Sequence, residues 1–132
     1  MAKHDISKHP IHLGLGATVE VEPEFNGTMD WYMGYAERHA GDGADARLVS
    51  MYTFSESWDT WEMHPEGSEV VLGTEGSLTL QQEKKDRSQT GVTISAGEYA
   101  VNEPGTWHTA DVSGTATALF ITAGRGTQHR PR

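Results

Sequence analysis

The sequence predicts an all-β fold, a small barrel or sandwich with little helix. Three observations carry this expectation. The 132 residues include 15 Gly and 5 Pro; short runs alternate apolar and polar residues with period two; and turn chemistry returns at short intervals between them. No long stretch places helix-forming residues at helical spacing. A chain of this length buries one core and does not divide comfortably into two.

The elements follow in order. Residues 1 to 10 lack periodicity and are expected as a mobile arm or an edge strand laid on a partner subunit. The barrel is expected over residues 11 to 124, opening with the apolar segment 11 to 21. Trp31, Tyr32 and Tyr35 then form an aromatic cluster. The Gly41-Asp42-Gly43-Ala44-Asp45 turn follows, and this region reads as a loop between strands. Residues 47 to 54 form a strand, with Leu48, Ser50, Tyr52 and Phe54 on one face and Arg47, Val49, Met51 and Thr53 on the other. Which face looks inward is not fixed by pattern. Further strands are expected at 60 to 64, 69 to 73, 77 to 80, 92 to 94, 99 to 102, 107 to 112 and 117 to 122. Turns fall around Gly76, at 83 to 87, at Ala96-Gly97 and at Ser113-Gly114. Residues 125 to 132 are a polar tail that caps or crosses an edge.

Composition narrows the chemistry. With no Cys, any metal must be held by nitrogen and oxygen donors. A net charge of −9 argues against nucleic acid as a partner, since phosphate binding needs a concentrated basic surface. Lys84, Lys85 and Arg87, and the basic tail, read as solvated surface or a subunit contact. The polar N-terminus suggests neither a secretory signal nor a membrane span, so a cytoplasmic protein is the expectation.

The informative segment runs from Trp61 to Glu69. In a strand, Glu62 and His64 share one face, with roughly 7 Å of backbone between them, while Trp61 and Met63 occupy the other. A turn over residues 65 to 68 can bring the Glu69 carboxylate to the same point. Further on, a strand and a Pro104-Gly105 turn deliver His108. These are four donors of the kinds that hold a divalent cation. Trp61, Met63 and Trp107 alternate away from them and read as packing residues. His4, His9, His12, His39 and His129 read as surface or hydrogen-bonded core residues with no role in the site.

Taken together, residues 60 to 112 resemble the cupin superfamily. Its first motif is G-x5-H-x-H-x3,4-E-x6-G and its second is G-x5-P-x-G-x2-H-x3-N. His64, Glu69 and Gly76 match the first motif, and Gly97, Gly105 and His108 match the second. Three positions depart. Glu62 stands where the motif has its leading His, Glu103 stands at the Pro position with Pro104 beside it, and Val112 replaces the closing Asn.

The resemblance implies a double-stranded β-helix, or jelly-roll barrel. It also implies a metal site of Glu62, His64, Glu69 and His108. Glu62 is either a ligand or a carboxylate that has left the coordination sphere and bonds to His64 or to a water. The donor set favours one divalent ion, Mn, Fe or Zn. The implied function is a metal-dependent enzyme of dioxygenase, isomerase, lyase or decarboxylase type acting on a small oxygenated organic molecule. Glu62 or Glu69 would move a proton if not ligated. The alternative is a non-catalytic module that binds a small ligand or metal. A homodimer is expected from the resemblance and from the need to cover sheet edges.

Overall fold

Eleven strands and one α-helix make up the computed structural model, which describes residues 1 to 132. The strands are β1 (Ile11–Leu13), β2 (Val19–Val21), β3 (Arg47–Phe54), β4 (Thr60–Met63), β5 (Glu69–Glu75), β6 (Ser77–Glu83), β7 (Gln89–Ser95), β8 (Tyr99–Asn102), β9 (His108–Asp111), β10 (Ala116–Thr122) and β11 (Gln128–Pro131). They form two antiparallel sheets, ordered β2-β1-β3-β10-β5-β8 and β11-β4-β9-β6-β7. The all-β expectation holds, and little of the chain is helical.

The core explains why the alternating runs settle as they do. Val71, Leu78, Leu80, Ile94, Ala110, Ala116, Ala118 and Phe120 form one buried cluster between the sheets. Tyr52, Phe54, Trp58, Ala100 and Val112 pack against it. Tyr52 and Phe54 therefore settle the open question on β3: their face looks inward. Small Ala residues on β9 and β10 leave room for the large aromatics opposite, which is how a close-packed interior accommodates them.

Two motif glycines have a visible cause. Gly76 turns β5 into β6 at φ +65°, and a Cβ there would collide with the Thr115 carbonyl oxygen. Gly105 adopts φ +77°, and its N–H donates to the His64 carbonyl at 2.9 Å, which ties the turn before β9 to the end of β4. Both positions favour a residue without Cβ.

The region read as a loop between strands differs. Met29–Arg38 is a helix, α1, followed by a 3-10 segment over Ala40–Asp45. The Thr28 hydroxyl caps it by accepting from the Trp31 N–H at 3.3 Å, with Asp30 in the first turn and Arg38 in the last. Trp31 is its one buried residue, stacked on Tyr35 one turn later and met edge-on by Phe25 at 4.8 Å. Met29 to Met33 and Trp31 to Tyr35 are spaced by four, a helical signal that the central Gly34 obscures.

Residues 8 to 10 lie along residues 22 to 25 of the same chain, through the bonds Phe25 N to Lys8 O at 2.7 Å and Glu22 N to Pro10 O at 2.9 Å. Within the segment read as a polar tail, β11 pairs with β4 and forms the edge of the smaller sheet.

Candidate metal centre

Two rows of side chains, one from each sheet, meet inside the barrel. In the smaller sheet His129, Glu62 and His108 stand directly opposite one another across β11, β4 and β9, and Gln82 on β6 continues the row. In the larger sheet Thr122, Glu69 and Asn102 do the same across β10, β5 and β8. Directly opposed residues point to the same face, so each row presents a set of polar groups to the interior. The Gln82 amide closes one end by donating to Asn102 Oδ1 at 2.7 Å.

His64, just beyond β4, joins these rows. Its Nε2 lies 3.1 Å from Glu69 Oε2 and 3.9 Å from Glu62 Oε2. His108 Nε2 lies 3.2 Å from Glu69 Oε1 and 3.7 Å from Glu62 Oε2. Glu62, His64 and His108 each offer a donor atom within 4.8 Å of the others. Glu69 lies outside that set of three, yet its two carboxylate oxygens are the nearest acids to the two imidazoles. His64, Glu69 and His108 are buried, whereas the Glu62 side chain keeps 27% of its exposure.

The outer hydrogen bonds fix which ring nitrogens are available. The Thr127 hydroxyl has one hydrogen, which it donates to the Gly124 carbonyl at 2.7 Å. His64 Nδ1–H must therefore be the donor to Thr127 Oγ1, at 2.8 Å. His108 Nδ1 faces the Thr106 carbonyl at 3.0 Å, which can only accept. In each neutral imidazole the proton sits on Nδ1, and the Nε2 lone pair faces the carboxylates. Both Nε2 atoms are buried without a hydrogen-bond partner.

Buried lone pairs facing buried carboxylates are mutually repulsive unless positive charge lies between them. A divalent cation supplies that charge, and donors about 3 Å apart suit metal–ligand bonds of about 2.0–2.2 Å. The residues present thus fit a metal with nitrogen and oxygen ligands. Glu69 is already oriented for such a role, because the Thr122 hydroxyl donates to one oxygen at 2.6 Å and the Asn102 amide to the other at 3.1 Å.

Without the cation, protons take its place. Burial disfavours the His108 imidazolium, but Glu62 and Glu69 outweigh it and push the pKa up to about 10. Burial likewise opposes ionisation of Glu62, yet the neighbouring His108 and His129 hold its carboxyl down at about 2. Glu69 is held well below the usual carboxylate range for the same reasons, with His108 and His64 as its partners.

His129 is the site residue that sequence reasoning missed. Its Nε2–H donates to Glu62 Oε1 at 3.1 Å, and Glu62 raises the imidazole pKa above its ordinary value. No spacing signal links residue 129 to residue 62; only the β11–β4 pairing does. Asn102 escaped notice for the same reason. The packing assignments of Trp61 and Trp107 agree with the structure: Arg130 lies over the Trp61 and Trp107 rings at 5.4 and 4.5 Å, across from Trp61 in the strand pairing. His12 and His39 are also satisfied, His12 by Tyr35 and Asp42, and His39 by Glu22.

No protein-family model matches the sequence, and no curated protein matches it either. Solved structures do match in fold. An oxalate oxidase aligns at 18% identity and TM-score 0.54 over 61% of this chain and 44% of its own, so the present chain spans less than half its length. Hydroquinone 1,2-dioxygenase from Sphingomonas sp. TTNP3, solved with 4-hydroxybenzoate bound, aligns at 15% identity and TM-score 0.52 over 58% of this chain and 59% of its own. A cupin-2 domain containing protein from Shewanella frigidimarina NCIMB 400 aligns at 20% identity and TM-score 0.49 over 65% and 71%. With two antiparallel sheets enclosing a buried His and Glu cluster, this chain has the cupin fold.

Proposed function

We propose that the chain is a metal-dependent cupin enzyme holding one divalent ion, Mn, Fe or Zn, through Glu62, His64, Glu69 and His108, and acting on a small oxygenated organic molecule. The observation that carries the reading is the pair of buried, unpartnered Nε2 atoms of His64 and His108 facing Glu69. When bound, such an ion acts as a Lewis acid on a carbonyl or enolate oxygen or supports oxygen chemistry. The names of the two fold neighbours, an oxalate oxidase and a hydroquinone 1,2-dioxygenase, are in keeping with such substrates.

The two carboxylates divide the work. Glu69, buried and bonded to Thr122 and Asn102, is held in one orientation and suits a fixed ligand. Glu62 is the more exposed and has a titratable partner in His129, so it is the ligand that suits proton transfer at the rim whenever it is released from the ion. The aromatic interior of Tyr52, Phe54, Trp58 and Phe120 excludes water around the reacting atoms.

Metal content measured on the purified chain tests the metal. Oxygen consumption and product analysis after Fe²⁺ loading, across diketones, phenols and sugar acids, test the catalysis. Stoichiometric metal with turnover of one class is expected. Metal without turnover of any of them would favour a binding module instead. The exposed Val19 and Val21 on the edge strand β2, whose outer side has no neighbouring strand, support pairing of two chains, which sedimentation velocity would show as a dimer.

A further inference from the structure

Three buried side-chain polar atoms lack a hydrogen-bond partner: His64 Nε2, His108 Nε2 and Trp58 Nε1. A metal ion accounts for the first two and does nothing for the third, because an indole N–H is a donor and cannot ligate. A buried N–H left unpaired loses its water without a replacement, so the third atom calls for an acceptor of its own.

Trp58 lies beside the metal centre. Its ring stands edge-on to His108, with centroids 6.4 Å apart, and His108 is 5.2 Å from His64. Its backbone is clamped: the N–H donates to the Ala110 carbonyl at 2.9 Å, two residues along β9 from His108, and its carbonyl accepts from Arg132 Nη1 at 3.1 Å. The indole is thus carried on a rigid part of the barrel.

Around it the surroundings are aromatic. Phe54 and Phe120 lie 5.6 and 6.1 Å from the Trp58 ring, and Tyr52 stacks on Phe54 at 5.5 Å. The Tyr52 hydroxyl lies 3.4 Å from that of Tyr32 on α1. Burial raises the pKa of both phenols, and the Glu62 charge adds to it, so both stay protonated donors. The ion-pair partners of Glu62 and Glu69 are His64, His108 and His129, with no Lys or Arg among them. Such an interior suits a ligand of low charge and disfavours a dianion.

We infer that Trp58 Nε1–H is a specificity-determining donor, accepted by an oxygen of a small molecule seated at the metal centre, and that this molecule is an aromatic or conjugated hydroxy or oxo compound. A cation and its organic companion then satisfy all three unpartnered atoms: the cation takes the imidazoles, and the companion takes the indole. This rests on the metal reading above and adds the substrate class to it.

The test uses the full chain loaded with redox-inert zinc and two probes, acetohydroxamate and benzohydroxamate. They share one chelating group and differ in the aromatic ring alone. The chain has 4 Trp, hence as many indole N–H resonances, and Trp58→Phe identifies the one of interest by its loss. Both probes are expected to move the Trp58 indole resonance downfield at saturation, with benzohydroxamate bound about tenfold tighter or more. Trp58→Phe is expected to keep its zinc and lose about tenfold in hydroxamate affinity, the scale of one hydrogen bond.

An unmoved indole resonance at saturation, or an unchanged affinity in Trp58→Phe, overturns the donor role. Equal affinity for the two probes overturns the aromatic class. A chain that takes up no zinc overturns the metal reading and this inference together. Should Trp58→Phe fail to fold, the wild-type resonance, assigned through its contacts to Phe54 and Phe120, decides alone.

Discussion

His129 and Glu62 stand directly opposite each other across β11 and β4, with the imidazole Nε2–H 3.1 Å from the carboxylate oxygen. The last strand therefore orients a side chain of the candidate metal centre. Replacing His129 with Ala is expected to lower zinc affinity by about 10-fold to 100-fold, the usual cost of losing an outer partner of a ligand. The fold should survive, because His129 is exposed on an edge strand. Competition against a chelating dye, with circular dichroism as the control, measures both.

The imidazole ligands should be the least dispensable. His64→Ala and His108→Ala are each expected to abolish stoichiometric zinc binding while leaving a cooperatively folded barrel, since the apolar cluster does not include them. Elemental analysis after gel filtration reads the outcome. Unchanged metal content in either variant contradicts the assignment.

Glu62→Ala separates a ligand from a carboxylate that merely neighbours the site. As a ligand, its loss should cost more than about 100-fold in affinity, beyond the range of outer-sphere partners. A loss of less than about tenfold would leave His64, Glu69 and His108 as the ligand set. Glu69→Ala should be the more damaging change in either case, because it also strands the Asn102 and Thr122 donors.

Metal uptake should release protons. With its pKa near 10, His108 carries a proton at pH 7 in the metal-free chain, and a metal ligand must be neutral. Each ion bound therefore expels about one proton, and the apparent affinity should rise up to about tenfold per pH unit below that pKa, falling as pH drops. Calorimetric titration of zinc in buffers of differing ionisation enthalpy measures the number released. A heat independent of buffer would contradict the protonated His108.

Gly76→Ala tests the turn rather than the chemistry. The new methyl would meet the Thr115 carbonyl at a left-handed backbone position, for a destabilisation of about 1–3 kcal/mol or more. Thermal unfolding should show a melting temperature lower by several degrees, with zinc stoichiometry unchanged.

Much of the fold is legible in the sequence. The alternation along residues 47 to 54 and 117 to 122 marks strands because side chains on a pleated backbone alternate faces. The spacing from His64 through Glu69 to Gly76, and from Gly97 to His108, points to the site through its resemblance to the cupin motifs. Helix α1 was missed for a local reason: Gly34 interrupts its formers, and its Trp and Tyr residues suit strands as well as helices.

The sequence by itself determined the fold class, the lack of any cysteine and which histidines and carboxylates local turns bring near one another. Tertiary structure alone decided what surrounds them. Strand pairing joined His129 to Glu62, and Thr122 and Asn102 to Glu69, across distances in sequence that no periodicity spans. It also turned Tyr52 and Phe54 inward and left Trp58 Nε1 without a partner. The physical reason is that a β-sheet satisfies its backbone between segments remote in sequence, so the neighbours of a side chain are set by register, which the local pattern does not encode.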